Sequence, residues 1–186
     1  IAMPDQKTVE RLLADPSAPV RADLASRIGA QLSGQRINER ERSLAIDIAR
    51  RLARDAIETV RKALAESLQG SDALPHDIAV TLANDIEDVA LSVIRNSIVL
   101  TDDDLVEILK AGSGAKQEAV AERREVSERV AASVAEIGSE RAVAALMRNP
   151  GDDVSPAAMN RAIDRFPASE IVAEPMIGRP RLPLTI

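Results

Sequence analysis

The strongest constraint on how this chain can fold is a spacing. Asp15 is followed five and six residues later by Val20-Arg21, and forty residues further on Asp55 is followed at the same distances by Val60-Arg61. Each copy opens an amphipathic stretch. Leu44, Ile48 and Leu52, and again Val60, Leu64 and Leu68, recur every fourth residue, the period of one helical face. A second repeat follows, in which an apolar residue precedes a hydroxyl: Leu100-Thr101, Val126-Ser127 and Val154-Ser155, at intervals of 26 and 28. Self-similarity at such short periods predicts a stack of helix pairs, each burying its apolar face against its neighbours. Two-residue alternation is sustained nowhere, so no strand is expected.

The expected fold class is all-α, a right-handed α-α superhelix of five to six helix pairs forming one domain over residues 1–186. Repeats of the first kind occupy 1–97 and shorter helix pairs occupy 98–186. The predicted helices span roughly 5–14, 19–33, 38–53, 56–69, 75–84, 86–97, 102–111, 115–123, 128–137, 140–148 and 156–166. Pro19, Pro75 and Pro156 sit where a first helical turn tolerates a missing N–H. Thr101 with Asp104 three residues later makes a capping pair, and Asp102 to Asp104 place negative charge at the positive end of a helix dipole. Gly112-Ser113, Gly138-Ser139 and Phe166-Pro167 mark turns within pairs. Arg95-Asn96, Arg123-Arg124 and Arg148-Asn149 close them. Arg179-Pro180-Arg181-Leu182 repeats that junction with no helix after it, which leads to the expectation of a solenoid cut short.

Composition fits closely packed helices. Of the 186 residues 45% are apolar, nearly all Ala, Leu, Ile and Val, and Phe166 is the single aromatic residue. With no cysteine there is no disulfide, thiolate nucleophile or cysteine-bound metal. Apolar runs such as Ile98 to Leu100 fall far short of the roughly 20 residues that span a bilayer, and no basic-then-apolar leader opens the chain. A cytoplasmic protein with no membrane partner is expected. The net charge of −6 speaks against phosphate binding on average, but the distribution is lopsided. Residues 21–62 hold ten basic and six acidic side chains, whereas residues 72–107 hold nine acidic ones against Arg95.

No constellation for chemistry emerges, so no catalytic residue, metal or cofactor is expected. Asp15, Asp55, Arg21 and Arg61 are read as turn caps and ties between neighbouring repeats. Asp102 to Asp104 lack the glycine and distal glutamate of a calcium loop, and the Thr101 cap accounts for them. His76, the one histidine, has no second histidine or evident serine partner, and Gly112, Gly114 and Gly138 are not followed by the Lys-Ser or Lys-Thr of a phosphate loop. The candidate partner-binding residues are the basic group Arg50, Arg51, Arg54, Arg61 and Lys62, with Asp85 and Asp88, a carboxylate pair on one helical side.

Asp, four intervening residues, then Val-Arg resembles the HEAT-repeat pattern, with Asn84 and Val89-Ala90 as a degraded third copy. The stretch from Leu74-Pro75 through Asp88-Val89-Ala90 and Ile94 to Leu105, and on to Arg179 through Pro183, resembles the bacterial domain-of-unknown-function family 2336. That resemblance implies a HEAT-like alphaproteobacterial protein without an assigned activity. The expected function is a non-enzymatic scaffold for protein–protein interaction, a signalling or regulatory adaptor of unknown partner. The alternative is a nucleic-acid-binding module, since 20 of the 24 basic residues are Arg, whose fork suits phosphate. The aromatic stacking groups usual in such a module are missing.

Overall fold

The structure, a computed structural model, describes residues 5–34, 37–151 and 153–179. Among these residues the chain is entirely helical, with twelve helices: α1 (Gln6–Leu13), α2 (Ala18–Ser33), α3 (Glu39–Leu52), α4 (Glu58–Leu68), α5 (His76–Ala83), α6 (Glu87–Asn96), α7 (Asp102–Ala111), α8 (Gly114–Ala121), α9 (Glu128–Ile137), α10 (Glu140–Arg148), α11 (Pro156–Arg165) and α12 (Glu170–Ile177). The chain divides into two compact units, one holding residues up to 93 with 97–99, the other 94–96 with 100 onward.

The predicted helices correspond to α1 through α11, and α12 completes the sixth pair. Pro175 inside α12 hides that helix from the periodic pattern, because proline gives up a backbone hydrogen bond there. Val172 and Met176, four apart, still bury its inner face, while Ile171 and Ile177 stay exposed. Pro180 to Leu182, the junction expected to open another repeat, lie outside the described residues.

In the first unit α2 packs along α4 more extensively than any other helix pair does, and small residues allow it. Gly29 lies so close to α4 that a Cβ there would overlap the Ser67 side chain. The Ser67 hydroxyl donates to the Leu64 carbonyl at 2.8 Å and reaches the Ala25 carbonyl at 3.5 Å. Ala25, Ala65, Val60, Leu64 and Leu68 are fully buried around this contact.

The second unit has two layers, with α7, α9 and α11 side by side and α8, α10 and α12 side by side. Its central helix α10 is buried all round from Ala142 to Met147, which explains a run of six apolar residues in a helix with polar ends. The repeated apolar-hydroxyl pair has a simple local cause. Leu100, Val126 and Val154 plug the core, and the next residue caps a helix: Thr101, Ser127 and Ser155 accept from the backbone N–H of Asp104, Val130 and Ala158. Each such cap contributes about 1 kcal/mol. Gly112 and Gly138 end α7 and α9 with ordinary negative φ, −80° and −64°. Glycine is needed there because a Cβ would overlap the carbonyl oxygens of Ile108 and Val134.

Candidate partner-binding surface

The Asp…Val-Arg spacing builds a ladder of ion pairs inside the first unit. Asp15 Oδ1 accepts from the Ser17 N–H at 2.8 Å and Asp55 Oδ1 from the Ile57 N–H at 2.9 Å, so each carboxylate first shapes the turn that precedes α2 or α4. Six residues later an arginine folds back and reaches across. Arg21 donates to the Asp15 carbonyl at 2.5 Å while its Nε and Nη2 grip the Asp55 carboxylate at 2.7 and 3.1 Å. Arg61 repeats this, donating to the Asp55 carbonyl at 2.7 Å and to Asp85 at 2.5 and 2.9 Å. These side chains are only 11–16% exposed, so the forks are partly shielded from water. Hydrogen bonding from Arg21 holds the Asp55 carboxyl below its ordinary pKa, and the bond to Asp85 raises Arg61.

The third acidic rung is Asp85, not Asn84. Asn84 caps the end of α5 and turns its amide back to the Val80 carbonyl at 2.9 Å. Only the neighbouring carboxylate can accept both arms of the Arg61 fork. Leu91 stands six residues after Asp85, where Arg21 and Arg61 stand in the first two copies, so the ladder ends there.

The candidate residues therefore divide. Arg61, Asp85, Lys62 and Asp88 join α4 to α6 and its preceding turn, the last two through a loose contact of 3.9 Å. Arg50 ties α3 to α5 through Asp77 at 2.7 Å and also meets Asp47 at 3.3 Å. Bonding to Arg50 lowers the Asp77 pKa. Arg51 and Arg54 are exposed, and neither makes an ion pair or side-chain hydrogen bond among the described residues. Arg40 has the same status and lies on the same face of α3 as Arg51, eleven residues and three helical turns earlier, while Arg54 stands in the turn after the helix. The Arg40 charge is part of this face, although sequence reading grouped only residues close in number. The period 40, 43, 47, 50/51 along α3 is the signal that reveals it.

In the second unit polar side chains serve a different joint, the carbonyl ends of neighbouring helices. Arg123 donates to the Ile94 carbonyl, Asn149 to those of Ala121 and Arg123, and Arg179 to those of Leu146, Met147 and Asn149. Arg165 caps the Ala135 and Gly138 carbonyls at 2.8 Å each. Gln117 bridges three elements, giving its amide N–H to the Leu109 carbonyl at 2.8 Å and to that of Ile137 at 3.5 Å while accepting from the Ser139 N–H at 2.9 Å. The junction residues Arg123, Asn149 and Arg179 thus satisfy the orphan carbonyls of the preceding repeat. Asp102 accepts from the Ser127 hydroxyl and Asp103 pairs with Arg129, so two of the three aspartates join α7 to α9 while Asp104 completes the Thr101 capping box. Among the described residues no group of three or more His, Cys, Asp or Glu side chains is placed to hold a metal. Among the described residues no helix is long and apolar enough to cross a membrane.

The described residues also form concave surfaces, two of them of similar size. A groove of about 700 Å³ over α1 and α2 is lined by Leu12, Val20, Leu24, Arg27, Ile28 and Gln31 among others. A second, of about 670 Å³, lies where Met147, Met159 and Pro175 meet, with Arg179 at its wall.

No curated protein and no solved structure matches the chain. Residues 89–186, more than half of the sequence, match the profile of a family described as an uncharacterised protein conserved in bacteria. The chain belongs to that family, domain of unknown function 2336.

Proposed function

We propose that this protein is a non-enzymatic, cytoplasmic scaffold, a HEAT-like right-handed superhelix that recruits an acidic protein partner. The observation that carries this reading is the contrast between tied and untied charge. Arg21, Arg61, Arg123, Arg129, Arg161, Arg165 and Arg179 are all engaged by neighbouring helices or turns, whereas Arg40 and Arg51 on α3 and Arg54 in the turn that follows it are exposed and make no ion pair or side-chain hydrogen bond among the described residues. The exposed guanidiniums of Arg40, Arg51 and Arg54, with Asp47 between them engaged by Arg50, offer positive charge that a carboxylate-bearing partner can pair. Scaffolds of stacked repeats bind through extended faces of this kind. The signalling or regulatory role expected from the sequence belongs to the same reading.

A photo-crosslinking amino acid at exposed Ser43, in the middle of this face, tests the proposal in cells. Adducts with a specific protein are expected, and they should be lost on Arg51→Glu/Arg54→Glu replacement. Adducts with nucleic acid, together with a retardation shift that weakens steeply with salt, would replace the protein reading with the phosphate-binding one.

A further inference from the structure

The last helix pair of the second unit breaks the pattern set by the two before it. α7 and α9 pass into α8 and α10 through two residues, Gly112-Ser113 and Gly138-Ser139, and each serine caps the helix it opens. Between α11 and α12 the turn has four residues, Phe166-Pro167-Ala168-Ser169, and Ser169 makes no side-chain cap. This turn gives up a helix cap and leaves the one aromatic residue of the chain partly exposed, with Pro167 and Ala168 exposed beside it. Arg165 fixes where the ring stands. Its guanidinium donates to the Ala135 and Gly138 carbonyls at 2.8 Å each and lies 4.8 Å over the Phe166 ring, which sets that ring beside the turn after Ile137. Ile137 is 38% exposed, and Ile171, at the start of α12, is 46% exposed. One edge of the unit thus gathers five apolar residues at the cost of a local rule that its sister turns obey, the mark of a surface that serves a contact.

We propose that this edge is the contact of a homodimer, in which the Phe166 turn of one copy packs on the same turn of a second copy about a two-fold axis. The charges at its rim choose that occupant. Glu140, Asp164 and Glu170 stand exposed there with exposed Arg141, and Arg165 lies among them. A rim of one sign would select a partner of the opposite sign. A rim carrying both signs complements itself when turned through a two-fold axis, because Arg141 of one copy then faces carboxylates of the other. The balance of three carboxylates against two guanidiniums also turns away nucleic acid and anionic lipid. Phe166 is the kind of residue that anchors the centre of such a contact, large, rigid and backed by an arginine whose own bonds hold it in place. A dimer carries the α3 charges twice, which would strengthen a scaffold's hold on a partner with two sites, but the contact itself does not depend on the scaffold reading.

The test uses the full chain in sedimentation velocity, over a concentration series reaching about 100 μM, where a contact of micromolar Kd is mostly dimer. A monomer–dimer equilibrium is expected. Phe166→Asp should raise its Kd about tenfold or more, as loss of a central aromatic anchor does. Ile171→Asp, at an exposed position whose replacement should leave the helical circular dichroism unchanged, should raise it in the same direction. Ile86→Asp, at a position 48% exposed in the first unit, is the control and should leave Kd unchanged. The chain has no cysteine, so Ala168→Cys introduces a single thiol. Beside a two-fold axis that thiol meets its own counterpart, and oxidation should join such chains by a disulfide about tenfold faster than Ser26→Cys chains, whose exposed thiol lies on the first unit. A chain that stays monomeric throughout the series overturns the proposal. So does a dimer whose Kd is unmoved by Phe166→Asp and Ile171→Asp, or one trapped equally fast at positions 168 and 26, because its contact would lie elsewhere. Crosslinking at Ser43 in the Ile171→Asp protein reads the acidic partner alone, so the two claims stand or fall separately.

Discussion

At the scale of the residue, Asp55 carries the most consequence for its size. One carboxylate shapes the turn before α4 and accepts the Arg21 fork, and the carbonyl of the same residue accepts from Arg61. Replacing it with asparagine keeps the turn but leaves a half-buried guanidinium without its counter-ion, which should cost about 2 kcal/mol in urea unfolding. Trp and Tyr are absent, so far-UV circular dichroism is the natural probe. The pH dependence follows from the same bond. The folded pKa of Asp55 is depressed by Arg21, that of Asp77 by Arg50 and that of Glu136 by Arg161. A depressed carboxylate stabilises the fold fully above its unfolded value, near 4, and loses that contribution as pH falls through the lower folded value. The urea midpoint should therefore be level from pH 7 to about 5 and drop below about 4, with a shallower drop in Asp55→Asn. The tie itself was legible in the sequence, because Asp and Val-Arg recur at a fixed offset. Its third rung was not, because Asn84 and Asp85 are adjacent and only the direction of each side chain separates a cap from a fork acceptor.

At the scale of the element, close approach explains what composition only suggests. Gly29→Ala adds a methyl that meets the Ser67 side chain and should destabilise the first unit by about 1–3 kcal/mol. Because both Ser67 Oγ and Cβ lie in the way, Ser67→Gly should recover part of that loss and Ser67→Ala should recover less, a coupling that a double-mutant cycle measures directly. In the second unit Gln117→Leu strands the Ser139 N–H and the Leu109 carbonyl that the amide serves, with an expected loss of about 1–3 kcal/mol and faster amide exchange at Ser139. Periodicity located eleven helices because each buries one face at a helical interval. α12 escaped it, since Pro175 interrupts the pattern while Val172 and Met176 still anchor the helix. Gln117, Asn149 and Arg165 were also illegible as joints. Their targets are backbone carbonyls, which every residue carries and which leave no mark in a sequence.

At the scale of the whole molecule, the sequence announces how the chain is built and leaves open what it binds. Repeats state their own spacing, and a stack in which neighbours satisfy one another leaves few polar groups over for other work. Within the candidate set Arg61, Lys62, Asp85 and Asp88 join helices, Arg50 does so in part, and Arg51 and Arg54 stand apart with Arg40. Nothing in residue type distinguishes the tied arginines from the untied ones; in the candidate set it is the placement of Asp77 and Asp85 opposite Arg50 and Arg61 that does. The central claim is that the untied face is for a partner and the tied residues are for the fold. It is tested most directly by measuring, on the same samples, the urea midpoint and the Ser43 crosslinking yield of wild type, Asp55→Asn and Arg51→Glu/Arg54→Glu. The account predicts a lowered midpoint for Asp55→Asn, and for the double replacement a stability within about 0.5 kcal/mol of wild type with the protein adduct gone. An adduct formed at wild-type yield by the double replacement, with its fold intact, would contradict it.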